Sequence, residues 1–201
     1  LVERGIDAAV FEKGDRVGAS IVAWGHVRVF SPWEYNVDAA GRALLADHGI
    51  AAPTGEFLAT GKEIVEQYLE PLSKVPRIAA GLRLGAEVIA ISREGHDLMS
   101  SDGRADVPFV VRYRDADGEH RLLARAVIDA SGTWSYPNPI GADGLQVPGE
   151  AEASDRIAYG IPDVGGAERE SYASKRTLVL GSGHSAINVA LALLELQEKA
   201  P

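Results

Sequence analysis

Nine consecutive residues, Leu178-Val179-Leu180-Gly181-Ser182-Gly183-His184-Ser185-Ala186, constrain this chain more than any other stretch. An apolar run leads into G-x-G-x-x-A, and the largely apolar residues from Ala186 to Glu198 suit a helix. In that setting Gly181 permits a tight turn, Gly183 lets a pyrophosphate approach the backbone, and Ala186 lets helix and strand pack closely. The free N–H groups of the helix start then face the phosphates. The pattern predicts a strand over 177–180, a turn over 181–185 and a helix over 186–198. His184 and Ser185 are expected to contact a cofactor rather than to act as acid or base. An ordinary βα turn is the plain alternative.

The opening residues read as if they start in mid-element. Leu1 to Gly5 has the pattern of a last helical turn closed by glycine, and Ile6 to Glu12 that of a short buried strand. An acidic residue ending the second strand of a dinucleotide fold hydrogen-bonds the ribose hydroxyls, about twenty residues after a glycine fingerprint. Glu12 suits that role if a first strand and most of a first helix lie upstream of Leu1. A short start with a frayed turn is the alternative.

Between these ends the pattern changes several times. Ser20 to Asn36 carries Trp24, Phe30, Trp33, Tyr35 and Pro32 with no clean period, which predicts a loop folded over a ligand or a packed surface loop. Asp38 is placed to cap a helix over 39–48 that Gly49 closes. Thr60 and Glu63 have capping-box spacing for a helix over 61–70, which Pro71 should end or kink. Strands are expected over 87–92, 109–113 and 122–130, the last two joined as a hairpin through Asp115-Ala116-Asp117-Gly118. Asp129-Ala130-Ser131-Gly132-Thr133-Trp134 runs from a hydrophobic strand into small residues that let a bulky ligand approach the backbone. Residues 95–106 read as exposed loop and 137–166 as a long Gly- and Pro-rich connection.

The charge balance removes other function classes. Twenty Lys and Arg against 29 Asp and Glu give a formal net charge of −9. Generic attraction to nucleic acid or to an anionic membrane is not expected of such a chain. Cysteine is absent and the five histidines have no metal-like spacing, so a thiolate nucleophile, a redox pair and a zinc site are not expected. No signal peptide is recognisable at the start, and the most apolar stretch near an end, 186–196, interrupted by Asn188 and Glu195, is too short to span a bilayer. A cytoplasmic location is expected.

Together these features resemble the two-dinucleotide-domain flavoproteins, most closely the flavin-containing monooxygenase-like branch. The resemblance runs over nearly the whole chain. Val10-Phe11-Glu12-Lys13-Gly14-Asp15-Arg16-Val17-Gly18 looks like the second FAD strand and its turn. Glu87-Val88-Ile89-Ala90-Ile91 looks like the segment that touches adenine, and Ala130-Ser131-Gly132 stands where relatives have Ala-Thr-Gly. Relatives often carry Gly-Gly-Thr-Trp where this chain has Gly18-Ala19-Ser20, and their Phe-x-Gly signature is replaced by Tyr159-Gly160-Ile161.

The resemblance implies an α/β fold: a Rossmann-like parallel-sheet FAD unit with a small antiparallel insertion, plus the start of a second dinucleotide-binding unit. It divides the chain into a partial FAD unit (1–136), a connection (137–175) and the opening of an NAD(P)H unit (176–201). The implied cofactor contacts are Glu12, Lys13, Val88, Ser131, Gly132, Thr133, Gly181, Gly183, His184, Ser185 and Ala186. His26 and Asn36 are the candidate catalytic residues, from the aromatic loop. The implied activity is reduction of FAD by NAD(P)H followed by oxygenation of a small substrate. A reductase or oxidase without oxygen insertion and a non-catalytic nucleotide-binding module are the alternatives. Assembly into a homo-oligomer is left open.

Overall fold

The computed structural model describes residues 4–199. Leu1 to Glu3, most of the helical turn expected at the start, lie outside the described residues, as do Ala200 and Pro201.

The first region is organised by local capping. Residues 20–36 are not the featureless loop expected: they hold most of helix α1 (Ala19–Ala23), strand β2 (Arg28–Pro32) and the single turn α2 (Trp33–Asn36). Helix α3 (Ala39–Asp47) begins where Asp38 accepts the Gly41 N–H at 2.8 Å. It ends in a Schellman closure, with Ile50 N–H on Leu45 O, Gly49 N–H on Ala46 O and Gly49 at φ +72°. Strand β3 (Leu58–Thr60) pairs antiparallel with β2 and runs into α4 (Gly61–Ile64). Thr60 and Glu63 form the reciprocal capping box there, at 3.2 Å and 2.7 Å.

Pro71 then shapes the helix in an instructive way. Having no N–H, it cannot bond the carbonyl of Gln67, and its ring crowds that turn. The chain widens into a π-helical turn over Val65–Leu69, with Glu70 N–H reaching Val65 O, before α5 (Glu70–Ser73) resumes with Pro71 in its first turn. The short helix α6 (Pro76–Ala79) follows. Trp33, Val37, Leu45, Ala59, Ile64, Tyr68 and Val75 form the main core. Tyr68, only 5% exposed, donates its hydroxyl to Asp38 at 2.5 Å and so ties the π turn to the α3 cap.

Two further sheets meet beside this core. Strand β1 (Val10–Phe11) pairs in parallel with β4 (Leu82–Arg83), Val10 opposite Leu82 and Phe11 opposite Arg83. The strand expected over 6–12 is therefore much shorter. Strands β5 (Glu87–Arg93), β6 (Phe109–Asp115) and β7 (Gly118–Ala124) form an antiparallel meander. The β6–β7 turn lies where the Asp-x-Asp-Gly pattern puts it, with Asp117 N–H on the Asp115 carboxylate at 2.9 Å. Arg83 joins the two sheets: its guanidinium lies over the Phe11 and Tyr113 rings and donates to the Tyr113 hydroxyl at 2.9 Å.

Two expected strands are corrected. The extension of β7 to Ala130 and the strand over 177–180 do not form. A strand exists only when a neighbour pairs its N–H and C=O groups, and neither segment is paired. Ile128, Leu178 and Leu180 stay 75%, 80% and 60% exposed.

The second region is built around the long helix α8 (His184–Lys199). Val164, Val189 and Leu196 form its buried cluster, with Tyr172 of the single turn α7 (Arg169–Tyr172) packed against them. The preceding stretch contains only a 3₁₀ turn (Ser154–Arg156) as regular structure. It is organised instead around Glu150, 2% exposed, which accepts from Ile140 N–H, Val147 N–H and the Tyr159 hydroxyl at 3.0, 2.9 and 2.5 Å. No helix among the described residues is long and apolar enough to cross a membrane.

Candidate functional site

Glu12 follows β1 directly, at the carboxyl end of the parallel pair. Its backbone is held on both sides, N–H on Arg83 O at 3.0 Å and C=O accepting from Ala86 N–H at 3.0 Å. Its Oε1 accepts the Gly14 N–H at 2.8 Å, which curls the chain away after the strand. The other carboxylate oxygen has no hydrogen bond among the described residues.

The same contacts bring β5 alongside. Lys13 pairs with Glu87 at 2.7 Å, which raises the lysine pKa and lowers that of the glutamate. Val88, 38% exposed, is the next residue on β5. Glu12, Lys13 and Glu87 therefore share one corner, while the Val88 side chain lies on the opposite face of β5 from Glu87. Tyr136, after Ser131-Gly132-Thr133 in the chain, adds a smaller upward influence on the Lys13 pKa. In the stretch leading to Tyr136 the Asp129 carboxylate accepts the Ser131 N–H at 3.0 Å and its hydroxyl at 2.6 Å, which together lower the Asp129 pKa. Gly132 takes φ +67°, a left-handed turn that suits glycine.

At the other motif, Gly181 has φ +120° and α8 starts three residues later. A Cβ on Gly183 would meet no atom within 4 Å, so the backbone there is open to an incoming group. A Cβ on Gly181 would sit 3.7 Å from Ala186 Cβ, which shows how closely the turn folds onto the helix start. Ser185 is exposed on the first turn. The His184 ring stacks on Phe30 of β2, with centroids 4.3 Å apart and planes at 16°. This contact brings the turn to the aromatic segment, and neither end of it has a local sequence signal.

The two candidate catalytic residues are in different circumstances. His26 Nε2 lies 3.0 Å from the Ile161 carbonyl oxygen. A carbonyl only accepts, so Nε2 carries the proton there and Nδ1 holds the lone pair of the neutral ring. His26 borders a cavity of about 450 Å³ shared with Arg16, Lys62, Glu66, Asp163 and Glu168. Asn36 is committed to the scaffold: its amide donates to Ser31 O and Pro32 O at 2.8 and 3.1 Å and accepts from the Ser31 hydroxyl at 2.9 Å.

No known protein family, curated protein or solved structure matches the chain.

Proposed function

We propose that this protein is a flavin-dependent oxidoreductase in which NAD(P)H reduces FAD and a small molecule is then oxygenated. The observation that supports it most is the Glu12 corner: a carboxylate, one of whose oxygens has no hydrogen bond among the described residues, at the carboxyl end of a parallel strand pair. That end of a parallel sheet is where α/β folds receive nucleotides. The open Gly183 backbone at the start of a 16-residue helix suits a second diphosphate.

In this reading Glu12 holds the adenosine ribose, the backbone at Val88 lies against adenine, Lys13 flanks them, and Ser131-Gly132-Thr133 leaves room for the rest of FAD. Gly181 to Ala186 takes the NAD(P)H diphosphate. The FAD unit over 1–136 is Rossmann-like, 137–175 connects, and the NAD(P)H unit opens at 176. Bound flavin supplies the electron-transfer chemistry. His26 accepts a proton at Nδ1, and Asn36 keeps the aromatic segment in shape.

Flavin absorbance of the purified protein, followed as NAD(P)H is added, tests the proposal. Bleaching is the expected result. Nucleotide binding without bleaching would favour a non-catalytic module. Labelled oxygen absent from product would favour a reductase or oxidase. His26→Gln should alter flavin reduction or reoxidation, measured separately, and unchanged rates in both would remove His26 from the mechanism.

A further inference from the structure

Trp33 is buried in the main core and Trp24 lies against Gly61, whereas Phe30 and Tyr35 are 71% and 77% exposed. Of the four aromatics in the segment 20–36 Trp33 alone belongs to the main core, and Phe30 and Tyr35 are largely open to solvent. Phe30 is nevertheless fixed in orientation. One face of its ring lies nearly flat on the His184 imidazole, and its high exposure leaves the rest of the ring open to solvent. Across the β2–β3 pair the Phe57 ring, 55% exposed, lies under the Arg28 guanidinium at 5.0 Å. Arg28 also donates to the Leu58 carbonyl, which holds the cation at the margin of this aromatic surface.

An oriented ring with an open face, set against the first residue of a helix that follows Gly-x-Gly, is what a flat heteroaromatic ligand needs for stacking. We propose that Phe30, backed by His184, is the stacking platform for the planar ring of a dinucleotide whose diphosphate lies at Gly181–Ala186. The inference rests on the dinucleotide reading of that turn and adds the residue that grips the ring. The ligand class is a nitrogen heteroaromatic ring joined to phosphate. Nicotinamide and adenine are its two sources.

The test is calorimetric titration of the full chain with NADP⁺ and NAD⁺, comparing wild type, Phe30→Leu, Phe30→Trp and His184→Ala. Phe30→Leu should weaken binding roughly 5- to 50-fold, the loss expected of one ring stack. Phe30→Trp should bind at least as tightly as wild type, and His184→Ala should weaken binding less than Phe30→Leu. Titrations with nicotinamide mononucleotide and with AMP show which ring is gripped, since only the stacked one should respond to Phe30→Leu. Because Phe30 is exposed, circular dichroism and melting should be unchanged in these variants. Wild type that binds dinucleotide while Phe30→Leu binds equally well would overturn the platform and leave the parent reading standing. Wild type that binds no dinucleotide would remove both.

Discussion

The region around Leu45 and the region around Val164 solve the same problem with unequal means. The first buries seven apolar side chains, closes its helices with caps at Asp38, Thr60 and Gly49, and binds its π turn to α3 through Tyr68 and Asp38. The second buries three, against one helix and irregular chain. It leaves Ile187, Leu191 and Leu194 of α8 more than half exposed, together with Leu178 and Leu180. Stability follows buried apolar surface and satisfied backbone groups. The first region should therefore unfold last, and the stretch carrying the glycine turn should open first.

Substitutions can break this contrast or sharpen it. Leu45→Ala should cost about 2–5 kcal/mol of global stability in urea denaturation, because a fully buried leucine leaves a cavity. Val164→Ala removes less hydrocarbon and should cost about 1–2 kcal/mol. Its effect should show as faster amide exchange in α8 with little change in α3. Equal exchange in both helices would mean that the two regions unfold as one. Thr60→Ala should cost about 1 kcal/mol by removing the capping box, again in the first region.

The pH response is the subtlest probe. The Tyr68 hydroxyl and the Gly41 N–H hold the Asp38 carboxyl below its ordinary value, so its contribution is present above the usual carboxylate range and is lost as pH falls through the lowered pKa. Burial and the Asp38 bond push Tyr68 up to about 12, so its contribution is whole below pH 10 and fades as pH rises toward 12. The melting temperature should fall at both extremes in wild type. Tyr68→Phe should flatten the alkaline limb, and absorbance at alkaline pH should lose its latest-titrating tyrosine.

What was legible in the sequence was whatever a few neighbouring residues decide. The Asp38 cap, the Thr60–Glu63 box, the turn before Gly118 and the disturbance at Pro71 each depend on side chains within one turn of the backbone they satisfy. The stretch 126–130 is different in kind. Its composition is that of a buried strand, yet a strand is a property of two segments, and composition carries no record of the partner. The residues from 177 to 180 fail as a strand for the same reason. At the candidate site, Glu12 was readable from its place after an apolar run, and the glycine turn from its spacing. The Lys13–Glu87 pair, the Phe30–His184 stack and the burial of Glu150 were not, because each joins side chains that folding alone brings together.

The π turn also limits how the chain can change in length. Val65–Leu69 carries about one residue more than an α-helical turn would use. Removing exposed Glu66 or Gln67 would turn the Glu70 N–H to Val65 O contact into an ordinary α-helical bond and leave the residues beyond it nearly in place. Pro71 would then face a regular turn whose carbonyl, four residues before it, its ring crowds. A relative one residue shorter here should therefore have replaced Pro71 while keeping Tyr68 and Asp38, so that an alignment gap and a substitution travel together.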